Sequence, residues 1–245
     1  MLRTIFCAAL ALTATCAVAA DSGQTQVQAA AAKLADAPSY AWSTTSHFGN
    51  NDRTTEGKTQ KDGYTLLTLP GPNNSTREVV MKGDKFVVNG DDGWQTSEEL
   101  AKDDGSGQPN RARFLVNMIK RMKPPAAQVA DLSGKTKELK KTGDSYEGEL
   151  TEDAAKEMMT FGRGRRRANA DAAAPATGPK ITNAKATVKI LVKDGMLAKY
   201  ELHVTGTVTG QDGNEREVDR ATETTISDVG SAKVEVPAEA KKKLS

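Results

Sequence analysis

The chain holds two histidines, His47 and His203. A general base or a metal ligand needs such a side chain sheltered and oriented by a partner. Here His47 alternates with Thr45 and Ser43, and His203 with Glu201 and Lys199, along segments of strand-like pattern. Both read as exposed strand residues, and no zinc site is expected. The acids Asp91-Asp92, Asp103-Asp104 and Asp212 lie beside glycines. A calcium loop needs oxygen ligands at alternating positions and a closing Glu, which Asp103-Asp104-Gly105-Ser106-Gly107 lacks. Turn chemistry accounts for these acids. No Gly-x-Ser-x-Gly, Ser-x-x-Lys or glycine-rich phosphate loop occurs. Two carboxylates for glycoside hydrolysis need no fixed spacing, so a small hydrolase is a distant third reading, with aromatics at only 4% to stack a sugar. No enzyme activity and no cofactor are expected.

Two other groups of residues can do chemistry by binding. Arg163, Arg165, Arg166 and Arg167 form the strongest local charge feature. Guanidinium pairs well with phosphate, so they are candidate contacts for an anion; the competing reading is a solvated surface loop. Nucleic acid is not expected, for want of interleaved aromatics. The second group is apolar: Trp42, Phe86, Trp94 and Tyr200 from strands or their ends, and Phe114, Met118 and Met122 from a helix. These residues either fill a core or line a site for an apolar chain, to which flexible methionines adapt.

The N-terminus bears on where such a site would work. Arg3, an apolar run from Ile5 to about Val18, and small residues at Ala17-Val18-Ala19-Ala20 have the pattern of a secretory signal peptide, with cleavage expected near Ala19 or Ala20. Cleavage would remove Cys7 and Cys16, the only cysteines. Export without disulfides suits a bacterial periplasm or the cell exterior. Lipidation of Cys16 is the alternative, and Thr15 before it fits that processing poorly. The chain has 34 Lys and Arg against 32 Asp and Glu, and loss of Arg3 leaves it nearly neutral, with no global pull toward polyanions. No later apolar run is long enough to span a bilayer.

The elements that must position these residues are set by periodicity. Gln24 to Ala35 reads as a helix stopped by Pro38. Strands are predicted near 40–48, 53–60, 64–69, 76–81 and 85–88, joined by Asp-Gly and Asn-Gly turns as in an antiparallel meander. Thr96 with Glu99 makes a capping box, Arg111 to Lys123 an amphipathic helix, Ala126 to Leu132 a short one, and Thr151 caps another through Met159. Weak strands are expected near 137–141 and 145–150, long ones near 188–192, 197–208 and 215–226, and a short one at Val234 and Val236 before a helix from Ala238 to Leu244. Residues 162–179, rich in Arg and Ala, have little to bury and read as a disordered loop. The expected architecture is α+β: residues 21–245 form one domain, a curved antiparallel sheet, or incomplete β-barrel, with helices packed on its concave face.

Several segments resemble the half-barrel of the LolA/LolB-like lipoprotein carriers and their mycobacterial LppX/LprG-like relatives. They are the helix running into Ala37-Pro38-Ser39-Tyr40-Ala41-Trp42, the Asp62-Gly63-Tyr64 strand, and Met81 to Val88 followed by Asp92-Gly93-Trp94. Lys193-Asp194-Gly195-Met196-Leu197 and Val234 to Ala240 are similar to the family's closing segments. The resemblance implies an acyl chain held in the concave space and a lipid or acylated protein as partner; no ligand-contacting motif transfers residue by residue. The alternative is an interaction protein of the cell envelope, with a filled core and the Arg-rich loop on an acidic component.

Overall fold

The structure is a computed structural model describing residues 22–49, 51–61, 63–71, 75–90, 93–102, 111–160, 180–210 and 213–245. The expected signal peptide, Arg163 to Arg167 and the loop at 162–179 lie outside the described residues. Alternation of apolar and polar side chains dictates most of the strand pattern. Strands β1 (Ser39–Phe48), β2 (Asn51–Gln60), β3 (Thr65–Pro70), β4 (Thr76–Lys82), β5 (Lys85–Gly90) and β6 (Gly93–Thr96) form a meander. β7 (Lys140–Thr142), β8 (Ser145–Glu149), β9 (Lys180–Lys193), β10 (Met196–Thr209) and β11 (Glu215–Ser227) form a second one. β11 joins the two by pairing antiparallel with β1, from Ala41 opposite Ser227 to His47 opposite Ala221. The result is one unclosed sheet in the order β6-β5-β4-β3-β2-β1-β11-β10-β9-β8-β7.

One face of this sheet is apolar and carries the main core. Tyr40, Trp42, Leu67, Val79, Phe86, Val88, Tyr146, Val188, Ile190, Tyr200, Leu202 and Val204 all point to it. Over it lie α1 (Gly23–Ala35), α3 (Arg111–Ile119), α4 (Pro125–Lys135) and α5 (Glu152–Thr160), which contribute Val27, Ala31, Leu34, Val116, Ile119, Val129, Leu132, Ala155 and Met159. The remaining helices are short. α2 (Ser97–Ala101) starts at the capping box of Thr96 and Glu99, and α6 (Ala238–Lys243) closes the chain.

Three expectations change. Gly93–Thr96 is a sixth strand of the first meander, since its pairing with Val87 to Gly90 leaves no local signal beyond Trp94. The second long helix ends at Ile119, and Pro124-Pro125 opens α4 rather than merely stopping α3, because proline suits a first helical turn. Val234 and Val236 are not in a strand; Val236 packs with Tyr64 and Leu66 against the outer apolar cluster.

Candidate functional site

The inner face is built by two-residue periodicity, and the register shows how its rows run. One row crosses Leu67, Gly57, Trp42 and Ile226. The next crosses Thr55, Thr44, Thr224 and Tyr200, and the third Arg53, Ser46, Thr222 and Leu202. The face thus grades from aromatic to hydroxyl-bearing along the strands. Thr44 and Thr224 share a hydrogen bond at 2.9 Å. Trp42 lies across Gly57, where any Cβ would collide with its ring, and its ring centroid stands 5.6 Å from that of Tyr40.

The helices reach this face through polar handles as well as apolar ones. The Tyr200 hydroxyl donates to Gln128 Oε1 at 2.7 Å and the Tyr146 hydroxyl donates to Gln26 Oε1. Burial pushes the hydroxyls of Tyr40 and Tyr200 above the usual tyrosine range, so both stay protonated donors. Met159 packs on Gly206, whose positive φ lies at an irregularity of the β9–β10 ladder. Leu115, Met118, Met122 and Met158 remain only partly buried against the core, so α3, the turn after it and α5 each offer adaptable side chains at the edge of the core.

The candidate ligand residues do not all share one surface. Trp42, Phe86 and Tyr200 are buried on the inner face, and Met118 and Met122 lie at its α3 edge. Phe114 is 47% exposed, because the buried arc of α3 centres on Val116 and Ile119. Trp94 sits on the opposite face, in a cluster with Val80, Val87, Ala240 and Leu244 under α6. Periodicity alone cannot separate Trp94 from the others, since its face depends on pairing with Asn89 and its cover comes from the far end of the chain. Gly57 is the inner-face residue that periodicity misses; a glycine amid strand alternation marks a close approach.

The outer face carries the titratable groups. His47 Nδ1 contacts Asp52 Oδ1 and His203 Nε2 contacts Asp219 Oδ1, each at 2.7 Å. The two histidines flank Ala221 in one row. Lys199 bridges Glu201 and Glu223 at 3.0 and 2.9 Å. Two shallow, open hollows of about 400 and 590 Å³ lie here, sharing Glu201 and His203 in their walls. Among the described residues no three His, Cys, Asp or Glu side chains converge to hold a metal, and no helix is long and apolar enough to cross a membrane.

No protein-family model matches the chain, and no curated protein matches it in sequence. It is similar in fold to several solved structures. LprF from Mycobacterium bovis is 10% identical, with 89% of this chain and 96% of that chain covered and a TM-score of 0.39. For the Mycobacterium tuberculosis lipoprotein LppX the figures are 8%, 87%, 97% and 0.40, and for a LolA-superfamily protein from Nitrosomonas europaea 11%, 88%, 96% and 0.32. At these identities the likeness is one of fold and assigns no ligand. The half-barrel itself is carried by this chain's own sheet, unclosed and with helices on one face.

Proposed function

We propose that this protein is a non-enzymatic binding protein of the bacterial envelope, exported by its N-terminal leader, that takes up the apolar chain of a lipid or acylated protein. The carrying observation is that Leu115, Met118, Met122 and Met158 of the helical layer pack against the core only partly buried. An unclosed sheet can yield there without breaking a ladder, and removal of an acyl chain from water drives its entry. In the conformation described, the inner face is packed with side chains, so uptake moves α3 or α5 off the sheet. No bond is made or broken in the ligand.

A second reading is an envelope interaction protein with a permanently filled core. It is favoured by the two open hollows on the charged outer face.

Native mass spectrometry of protein purified without detergent, with solvent extraction of anything bound, separates the two. A co-purifying lipid in whole-number ratio, lost when Met118 and Met122 are both replaced by Gln, is the expected result. A clean apo mass that persists after incubation with envelope lipids would favour the second reading.

A further inference from the structure

Carboxylates and arginines are sorted to opposite faces of the sheet. Every Asp and Glu within the described strands falls in an outward register. Asp52, Glu56 and Glu78 do so in the first meander, and Glu147, Glu149, Glu201, Glu215, Glu217, Asp219 and Glu223 in the second. Lysines such as Lys58, Lys189 and Lys199 share that face, where Lys189 and Lys199 pair with acids. The four strand arginines take the opposite register. Arg53 stands opposite Ser46, Arg77 opposite Leu69, Arg216 opposite Val208 and Arg220 opposite Val204. The inner face of the strands therefore carries four guanidinium groups and no carboxylate.

Nor are the arginines spread evenly. The rows through Tyr40 and Trp42 have none: Arg53 shares the row of Ser46 and Thr222, Arg220 lies two residues beyond it, Arg77 stands on β4 opposite Leu69, and Arg216 lies four residues past Arg220. Arg53 and Arg220 are two strands and two residues apart, or about 12 Å between Cα atoms. Arg220 is half-buried, and its Nη2 donates to the Met158 carbonyl at 2.8 Å, near the C-terminal end of α5. Arg53, Arg77 and Arg216 make no ion pair among the described residues. Arg53 and Arg216 are exposed and Arg77 is partly so, so their charges are open to an incoming anion, while burial disfavours the charged form of Arg220 alone. The fixed fork of arginine, unlike the ammonium of lysine, matches the oxygens of phosphate and carboxylate.

We propose that this end of the inner face is a headgroup site, at which Arg53 and Arg220 with the Ser46 and Thr222 hydroxyls hold the phosphate or carboxylate of an anionic amphiphile whose chain runs toward Trp42, while Arg77 and Arg216 add positive charge on either side. The inference rests on the carrier reading and narrows its ligand to lipids with an anionic oxygen headgroup. No strand carboxylate on the inner face opposes that headgroup.

The test is calorimetric titration of the purified protein, below micelle concentrations, with four probes: dodecyl phosphate, laurate, dodecyltrimethylammonium and inorganic phosphate. The two anionic amphiphiles are expected to bind at least about tenfold more tightly than the cationic one, as charge-assisted bonds require. The R53Q/R77Q double variant is expected to remove that margin and leave the cationic probe unaffected. Both positions lie toward the rim, so the variant keeps its fold, which circular dichroism checks; R220K, which keeps the charge and loses the fork, is expected to show an intermediate loss. Equal binding of anionic and cationic amphiphiles would overturn the headgroup site and leave the carrier reading standing. Failure of every dodecyl probe to bind would overturn both. Inorganic phosphate binding as tightly as dodecyl phosphate would overturn the proposal as well, since the chain would then contribute nothing.

Discussion

Trp42 can lie flat across β2 because residue 57 has no side chain. Gly57 is buried and in the middle of a strand, where glycine is otherwise unfavourable. Its absent Cβ is the space that the indole fills. The G57A variant is therefore expected to lose about 1–3 kcal/mol through overpacking. Urea unfolding reads this as a lower midpoint with the slope unchanged, and W42L in the same background is expected to recover part of the loss. An unaltered midpoint would mean that the ring moves aside freely. At the same scale, Tyr200 and Tyr146 show how the helical layer is aligned. Each buried hydroxyl must find a partner, and Gln128 of α4 and Gln26 of α1 supply it.

Between elements, the helices are tied to one another by charge as well as by packing. Asp131 of α4 accepts from Lys123 at 3.3 Å and from Lys135 at 3.2 Å, and Lys135 reaches Glu157 of α5 at 2.8 Å. Partial burial alone would raise the Asp131 carboxyl, but hydrogen bonds from Lys135 and Lys123 outweigh it and hold the group below its ordinary value. A carboxylate lowered in the folded state stabilises above its unfolded pKa of about 3.9 and loses that stabilisation as pH falls through the folded value. Thermal melts of the wild type and D131N at pH 6 and pH 2.5 check the sign: the variant is expected to start lower and to fall less. Equal falls would place the acid sensitivity elsewhere. Local signals predict several of these elements well. The capping box at Thr96 and Glu99 forms as its spacing requires. The burial of α3 is harder to read, because Phe114 is its largest side chain yet lies off the arc through Val116 and Ile119. Size draws the eye, but geometry relative to the sheet sets burial.

Across the whole molecule, the two tryptophans, the only ones in the chain, report on opposite faces. Trp42 belongs to the inner core and Trp94 to the cluster under α6. An amphiphile that lifts the helical layer changes the environment of one and not the other. Fluorescence titration with dodecyl phosphate is expected to shift the emission of the W94F variant, which retains Trp42, and to leave that of W42F nearly constant. The reverse pattern would put the ligand on the outer face.

Alternation of side chains and turn residues was enough to establish an antiparallel, α+β chain with helices grouped in the middle, because period-two patterning and Asp-Gly or Asn-Gly turns act over a few residues. The polarity of each strand's two faces was legible for the same reason, as at His47 and His203. Which strands meet was not legible. The pairing of β1 with β11 joins residues about 180 positions apart, and no local pattern encodes a partner that distant. That pairing makes one sheet from two meanders, while the register of β6 on β5 puts Trp94 on the outer face, where Val80, Val87 and α6 cover it. It also brings Arg53 of the first meander and Arg220 of the last strand to one end of the same surface. Each is an isolated arginine in the chain, and they become a site only when long-range hydrogen bonding sets the register between them.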